Sequence, residues 1–268
     1  MATAQLSRLR PQINALSSLY KDPQAYIAGL TAMLNKYRNE VDYSSAGITA
    51  HSLIARMNIP DIVITQLGIS FNHLVKVYSD ESITIANQLW EKEYFEYKQL
   101  SILLLSKLPP EQIEHFFNFI TTKVNNESET PIFSAIIDTA HSVPIIRTDK
   151  RWHNLVIAWA SANEVYIKKI GLQAMTELVL IESNYPFPEL VKAIKPIFID
   201  PNISIRSELL DLVKSLISLS SNETAAFLIS LSIQNPKPEV DKFVRKCLPF
   251  FSDNLAEKIK NSINSSSN

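Results

Sequence analysis

A chain of 268 residues, 46% of them hydrophobic, has enough apolar side chain to form a sizeable buried core. Its four glycines are too few for the tight turns of β-hairpins, Rossmann loops or P-loops, which excludes phosphate-binding loops of those kinds. The formal net charge of −1 does not by itself indicate a nucleic-acid binder, which would need cations gathered on one face.

Hydrophobic residues recur at helical spacing throughout the chain, and the alternation typical of strands is never sustained. Most of the 14 prolines lie where a helix would begin, as in Asp22-Pro23 and Pro109-Pro110. In chain order, the predicted helices span residues 10–20, 23–38, 46–57, 60–77, 81–91, 94–108, 110–124, 130–146, 150–162, 164–181, 187–199, 204–220, 222–233, 238–250 and 253–264. Because the connections are short, we expect consecutive helices to be antiparallel neighbours in a stack of hairpins.

A short pattern recurs at the starts of three predicted helices, in which an apolar residue is followed by a cation. It begins Tyr97-Lys98, Ile167-Lys168 and Ile205-Arg206, so the cations are 70 and 38 residues apart. That spacing fits two repeat units and then one, each of about 35–40 residues, and the nearest named class is the HEAT repeat. The sequence therefore predicts an all-α fold, a HEAT-like repeat α-solenoid of about six or seven helical hairpins with a concave face.

We predict a single domain over residues 1–260, in which the helices of residues 1–58 are less regular. Residues 261–268 offer almost nothing to bury, so we expect a disordered tail there. Cys247 is the only cysteine, which excludes an intramolecular disulfide and a thiolate zinc site and favours a reducing compartment.

The sequence lacks both the apolar core of a signal peptide and any uninterrupted run of about 18 apolar residues. The five histidines include no pair four residues apart and have no neighbouring cysteine, so we predict no metal and no cofactor. We therefore expect a soluble, cytoplasmic monomer that does not bind membranes.

Two segments carry a resemblance to a known family. Leu89-Trp90 is followed, after five residues, by Glu96-Tyr97 and then by leucines at helical spacing. Residues Trp159 to Lys169 are similar to a Trp-x-x-Ser-x-Asn-x-Trp-x-x-Arg segment. Together they resemble the AlkD-like family of HEAT-repeat alkylpurine DNA glycosylases. The resemblance implies a concave basic cleft that holds duplex DNA by its backbone and cleaves the glycosidic bond of a cationic alkylated base.

In that family the catalytic carboxylate comes from a Trp-Asp-x-x-Asp element, whose counterpart here is the stretch from Ile137 to His141. Asp138 matches the first aspartate, whereas His141 takes the place of the catalytic one and Ile137 that of the tryptophan. An imidazole cannot stabilise a cationic transition state as a carboxylate does. The resemblance therefore implies that glycosylase chemistry is lost or altered, with Asp138 and His141 as the candidate catalytic residues.

Cations gather in two places that could meet phosphates. Lys98, Lys168 and Arg206 occupy equivalent positions in their repeats, and residues 147–169 contain five cations against two acids. The same cations could instead pair with acids of the next repeat, and Trp152 could contact a sugar or be buried at a helix start. The predicted DNA contacts are Lys98, Arg147, Lys150, Arg151, Trp152, Lys168, Lys169 and Arg206.

Three functions remain open from the sequence. The first is duplex-DNA binding on the concave face, with glycosylase chemistry lost or altered. The second is a protein-binding HEAT-like scaffold that holds a partner helix or peptide, which suits the near-neutral charge. The third is an active DNA glycosylase of alkylated bases that uses Asp138 or His141.

Overall fold

The computed structural model describes residues 2–38, 54–124, 129–181, 187–199, 201 and 203–266. These residues form α-helices and short 3₁₀ helices with no β-strand among them, so the predicted all-α class is confirmed. The α-helices are α1 (Ala2–Ser17), α2 (Pro23–Tyr37), α3 (Asp61–Val77), α4 (Ser79–Trp90), α5 (Phe95–Leu105), α6 (Glu114–Lys123), α7 (Thr130–Ser142), α8 (Pro144–Arg147), α9 (Lys150–Ala160), α10 (Val165–Ile181), α11 (Phe187–Phe198), α12 (Arg206–Leu219), α13 (Ser221–Gln234), α14 (Pro238–Cys247) and α15 (Asp253–Ser266). The 3₁₀ helices are Pro110–Gln112, Ile203–Ile205 and Leu248–Phe250. Within the described ranges, every helix is too short or too polar to cross a bilayer.

Most helix bounds lie close to the predicted ones, and the exceptions have local causes. The predicted helix 46–57 falls largely outside the described residues, and its described part, residues 54–57, is not helical. The predicted helix 130–146 is interrupted at Val143, where the backbone is extended with φ −109° and ψ 104°. Proline disfavours the helical conformation in the residue before it, so Pro144 accounts for this break.

The disordered tail was predicted from residue 261, and in the structure α15 continues through Ser266. Ile263 is fully buried one turn after the equally buried Ile259, so this segment does have an apolar anchor. The Arg245 guanidinium also donates a hydrogen bond to the side chain of Asn264 at 2.8 Å, which joins α15 to α14.

The chain divides into two compact units, Met1–Arg147 and Thr148–Asn268, where the sequence had predicted one domain. In the first unit, α1 packs on α3, α3 on α5, and α5 on α7. A second row follows the same order, because α2 packs on α4 and the Trp90 ring of α4 meets Phe119 of α6 edge-on at 5.0 Å. From α1 to α7 in the first row and from α2 to α6 in the second, a helix thus contacts the next but one along the chain.

The second unit repeats this alternation. Here α9 packs on α11, α11 on α13, and α13 on α15, while α10 packs on both α9 and α12. The residues that begin the repeated sequence pattern occupy equivalent environments in both units. Tyr97, Ile167 and Ile205 are each buried, and the cation that follows each of them is half-buried.

The closest approach between α9 and α10 depends on Gly171. A Cβ atom at this position would lie 2.1 Å from the backbone nitrogen of Ala160 and 2.5 Å from the carbonyl carbon of Trp159. These distances are far below van der Waals contact, so only glycine allows the two helix backbones to meet here.

A buried carboxylate joins residues 55–58 to the start of α5. Glu96 is 5% exposed and accepts hydrogen bonds from the backbone N–H groups of Met57 at 2.9 Å and Asn58 at 2.8 Å. The backbone N–H of Phe95 donates to the carbonyl oxygen of Ala55 at 2.9 Å. Asn58 has a φ of 54°, in the left-handed region that asparagine tolerates better than most residues. Glu96 therefore fixes a turn against the entry of α5.

Candidate functional site

The two candidate catalytic residues lie on α7 in different environments. Asp138 is exposed, whereas His141, one turn later, is 6% exposed and so faces the interior of the first unit. Ile137 is buried as well, and the Ser142 hydroxyl donates a hydrogen bond to the backbone carbonyl oxygen of Asp138 at 2.7 Å. Asp138 is thus open to solvent, whereas His141 is enclosed by the core.

The Arg147 side chain caps the C-terminal end of α7. Its guanidinium Nη1 donates a hydrogen bond to the backbone carbonyl oxygen of His141 at 2.9 Å, and the side chain is half-buried. A cation at this position also interacts favourably with the negative end of the helix dipole.

The first turn of α9 contains two of the predicted DNA contacts and an internal ion pair. Asp149 caps the helix by accepting a bond from the backbone N–H of Arg151 at 2.8 Å. The Arg151 guanidinium returns to the same carboxylate through Nε at 3.0 Å and Nη2 at 2.7 Å. These hydrogen bonds hold the pKa of the Asp149 carboxyl below its usual value. Lys150, by contrast, is exposed.

Trp152 is a core residue, which corrects its prediction as a DNA contact. Its side chain is fully buried, and its ring meets Trp159 edge-on with 5.8 Å between the centroids. An indole in this position packs α9 against its neighbours and offers no surface to a base or a sugar.

Lys98 closes the C-terminal end of α4. Its ammonium Nζ donates to the carbonyl oxygen of Trp90 at 2.5 Å and lies 4.8 Å from the centroid of the Trp90 ring, a cation–π distance. Burial lowers the pKa of Lys98, with Glu91 acting in the opposite direction and Lys123 in the same one. Lys98 therefore stabilises the α4–α5 hairpin from within.

Replacing Lys98 with methionine should lower the free energy of unfolding by about 1 kcal/mol, because the Trp90 carbonyl loses its donor and the indole loses its cation. Lys168→Met, at the equivalent position of α10, is the matched control and should change stability by less than about 0.5 kcal/mol. Urea denaturation followed by circular dichroism measures both. Equal losses in the two variants would contradict the capping role of Lys98.

The remaining predicted contacts lie where α10 meets α12. The Lys169 ammonium pairs with Glu208 at 3.2 Å, so this cation serves the next helix of its row, the alternative that the sequence had left open. Lys168 and Arg206 are half-buried in the first turns of α10 and α12. The Nε atom of Arg206 is itself buried, which limits how far that guanidinium faces solvent.

No protein-family model and no curated protein matches the chain. The resemblance to AlkD-like glycosylases therefore rests on the two sequence segments alone, and membership of that family stays a prediction. The tryptophans of both segments have packing partners, since Trp90 contacts Phe119 and Trp159 contacts Trp152.

Sequence reasoning missed a groove on the row formed by α2, α4 and α6. Two overlapping depressions, each of about 550 Å³, run beside α2 and share Thr31, Asn35 and Lys92. We call them together the α2–α4 groove. Its walls mix polar and apolar side chains: Gln24, Ile27, Ala28, Thr31, Ala32 and Asn35 from α2, and Gln88 and Lys92 across from it. Beyond Asn35 the groove reaches Arg38, Tyr94 and Tyr97. The signal in the sequence is the polar, uncharged stripe of residues 24, 31 and 35, which share one face of a helix.

A smaller pocket of about 200 Å³ continues this character between α4 and α6. Asn87 lines it from α4, and His115, Asn118 and Thr122 line it from successive turns of α6, with Phe119 beside them. Polar side chains thus recur on the open side of this row, here together with Ile83 and Leu105.

Proposed function

We propose that the chain is a HEAT-like helical-repeat protein whose role is to hold a segment of another protein. Support for the repeat architecture comes from rows in which a helix packs on the next but one along the chain. One such row is α1, α3, α5 and α7 in the first unit, and another is α9, α11, α13 and α15 in the second. One helical hairpin cannot bury its apolar face alone, whereas stacked hairpins share a continuous core. The curvature of a solenoid and a concave binding face belong to this proposal.

The observation that favours a protein partner is the engagement of the cations within their own units. Lys98 bonds to a helix end, Arg147 to another, Arg151 to Asp149, and Lys169 to Glu208. A surface that binds duplex DNA draws its affinity from cations that neutralise phosphates and release counterions. Cations that are paired with carboxylates, as Arg151 and Lys169 are, supply little of that affinity in a chain of net charge −1.

Duplex DNA is the second candidate partner, and one observation favours it. Lys98, Lys168 and Arg206 are half-buried at equivalent positions near the starts of α5, α10 and α12, so a cation recurs at the same repeat position. Lys150 is exposed at the start of α9. In this candidate function the glycosylase chemistry is lost or altered, and any surviving base release depends on the exposed carboxylate of Asp138.

The two partners are separated by one experiment with two arms. Random peptides of about a dozen residues, displayed on phage and selected on the full-length chain, should yield enriched sequences that bind with micromolar Kd as synthetic peptides. A fluorescein-labelled duplex should show no binding at micromolar protein and low salt. Fluorescence anisotropy measures both arms.

The opposite pattern would overturn the proposal. A failure to enrich any peptide, together with duplex binding that weakens steeply with salt, would assign the chain to nucleic acid. In that case Lys150→Ala and Lys168→Ala should each reduce the salt slope by about one. If the protein releases alkylated purines from treated DNA, and Asp138→Asn abolishes that release, the hypothesis of an active glycosylase is supported.

A further inference from the structure

The α2–α4 groove has the length of a short extended peptide. Gln24 and Arg38, which mark its ends on α2, are 14 residues apart, or ~21 Å along a helix that rises 1.5 Å per residue. An extended chain advances ~3.3 Å per residue, so about six residues would fill that length.

The walls of the groove match the chemistry of a peptide backbone. Gln24, Asn35 and Gln88 are exposed amides, and an amide side chain both donates and accepts hydrogen bonds. An extended peptide presents N–H and C=O groups in alternation, each of which needs a partner when it leaves water. Amides on the two facing walls can satisfy both kinds of group without selecting a charge.

At the end of the groove near Arg38, positively and negatively charged side chains are equal in number. Arg38 and Lys92 stand against Glu91 and Glu93, and Glu91 also pairs with Lys123 at 2.7 Å. A phosphate or a strongly acidic ligand would gain little from this arrangement.

Tyrosines provide an anchoring place at the same end. Tyr97 is buried and donates its hydroxyl proton to the Thr31 hydroxyl at 3.3 Å, which fixes the ring. Tyr94 is half-buried, with its ring centroid 6.5 Å from that of Tyr97 and 5.2 Å from the Arg38 guanidinium carbon. An aromatic side chain entering here would meet the face of one ring and a planar cation.

We propose that the α2–α4 groove binds an extended, uncharged segment of a partner protein, about six residues long, with an aromatic side chain seated beside Tyr94. The amides of Gln24, Asn35 and Gln88 read the backbone of that segment, and Tyr94 with Arg38 selects the aromatic residue. This inference rests on the proposed function and adds the site and the chemistry of the partner.

The test uses a peptide selected on the full-length chain, synthesised with a fluorescent label and titrated with wild type and variants. The double variant Asn35→Ala/Gln88→Ala should weaken binding at least tenfold. The matched control Asn222→Ala/Asn254→Ala removes two exposed amides of the second unit and should leave Kd unchanged. Thermal melting by circular dichroism checks that both variants keep the wild-type fold.

A second experiment tests whether the groove binds the backbone of the peptide. The same peptide, N-methylated at alternate backbone amides, should lose binding at least tenfold, and alanine in place of its aromatic residue should have a similar effect. Unchanged Kd for the groove variant, with peptides that still bind, would overturn the site and leave the proposed function standing. Failure to select any peptide would overturn both.

Analytical ultracentrifugation tests whether a second copy of this chain, instead of a peptide, occupies the groove. If the groove is covered by a second copy of this chain, wild type sediments as a dimer at the concentrations used and Asn35→Ala/Gln88→Ala as a monomer. That result would overturn the peptide proposal, whereas monomers in both cases agree with it.

Discussion

Gly171→Ala should destabilise the protein by about 3 kcal/mol or more, the largest effect expected of any single methyl group here. The added Cβ would meet the backbone nitrogen of Ala160 at 2.1 Å, the carbonyl carbon of Trp159 at 2.5 Å and the Cα of Ala160 at 2.6 Å. A backbone cannot rotate away as a side chain can, so α9 and α10 would have to separate along their contact. The gain in helix propensity from alanine, about 1 kcal/mol, is too small to offset that strain.

The control for this prediction is Gly68→Ala, also within a helix. Its Cβ would meet only the Leu103 side chain, with the nearest contact at 2.7 Å to Cδ2. A leucine methyl can move by a rotamer change, so we expect a loss below about 1 kcal/mol, reduced further by helix propensity. Chemical denaturation with a fixed m-value measures both variants. Similar losses for the two would contradict the backbone contact as the cause.

Glu96→Ala should lower the free energy of unfolding by about 3–5 kcal/mol. The carboxylate accepts hydrogen bonds from the backbone N–H groups of Met57 and Asn58 in a buried place, and bonds to a charged acceptor each contribute about 1.5–3 kcal/mol. Without Glu96, the buried N–H of Met57 and the partly buried N–H of Asn58 lose this carboxylate as their acceptor. Glu96→Gln should lose about 2 kcal/mol, because its NH₂ group then faces one of these donors.

Glu114→Ala separates this role from the helix dipole. Glu114 lies in the first turn of α6 as Glu96 does in that of α5, but it is exposed. Its removal should therefore cost only the dipole contribution, about 0.3–1 kcal/mol. Urea denaturation compares the three variants, and hydrogen exchange should show faster exchange at Met57 and Asn58 in Glu96→Ala alone. If Glu96→Ala loses no more stability than Glu114→Ala, the hydrogen bonds from Met57 and Asn58 to Glu96 do not stabilise the fold as proposed.

The sequence predicts the helices well because the positions that face the core recur at helical spacing. The repeated pattern also predicts a buried apolar residue at the starts of α5, α10 and α12, and Tyr97, Ile167 and Ile205 are all buried. The burial of Trp152 was visible in the same terms, since Trp152, Val156 and Ala160 share one stripe of α9. Ile263, four residues after Ile259, was an equally readable signal of a longer α15.

The spacing of apolar residues does not predict which polar side chains form contacts between different helices. Lys98 reaches the Trp90 carbonyl, eight residues earlier, only because of the angle at which the α4–α5 hairpin closes. Lys169 meets Glu208 because α10 and α12 pack side by side. The polar stripe of α2 is readable in the sequence, but the depth of the α2–α4 groove depends on where Gln88 and Lys92 come to lie across from it.

The helix ends around Thr148 have a consequence for separating the two units. Arg147 closes the end of α7 through the His141 carbonyl, and Asp149 caps the start of α9 through Arg151. Both sets of bonds are made between residues on the same side of the boundary at 147 and 148. A chain divided between Arg147 and Thr148 would therefore keep these helix caps intact, which makes this peptide bond the place to begin when each unit is to be produced by itself.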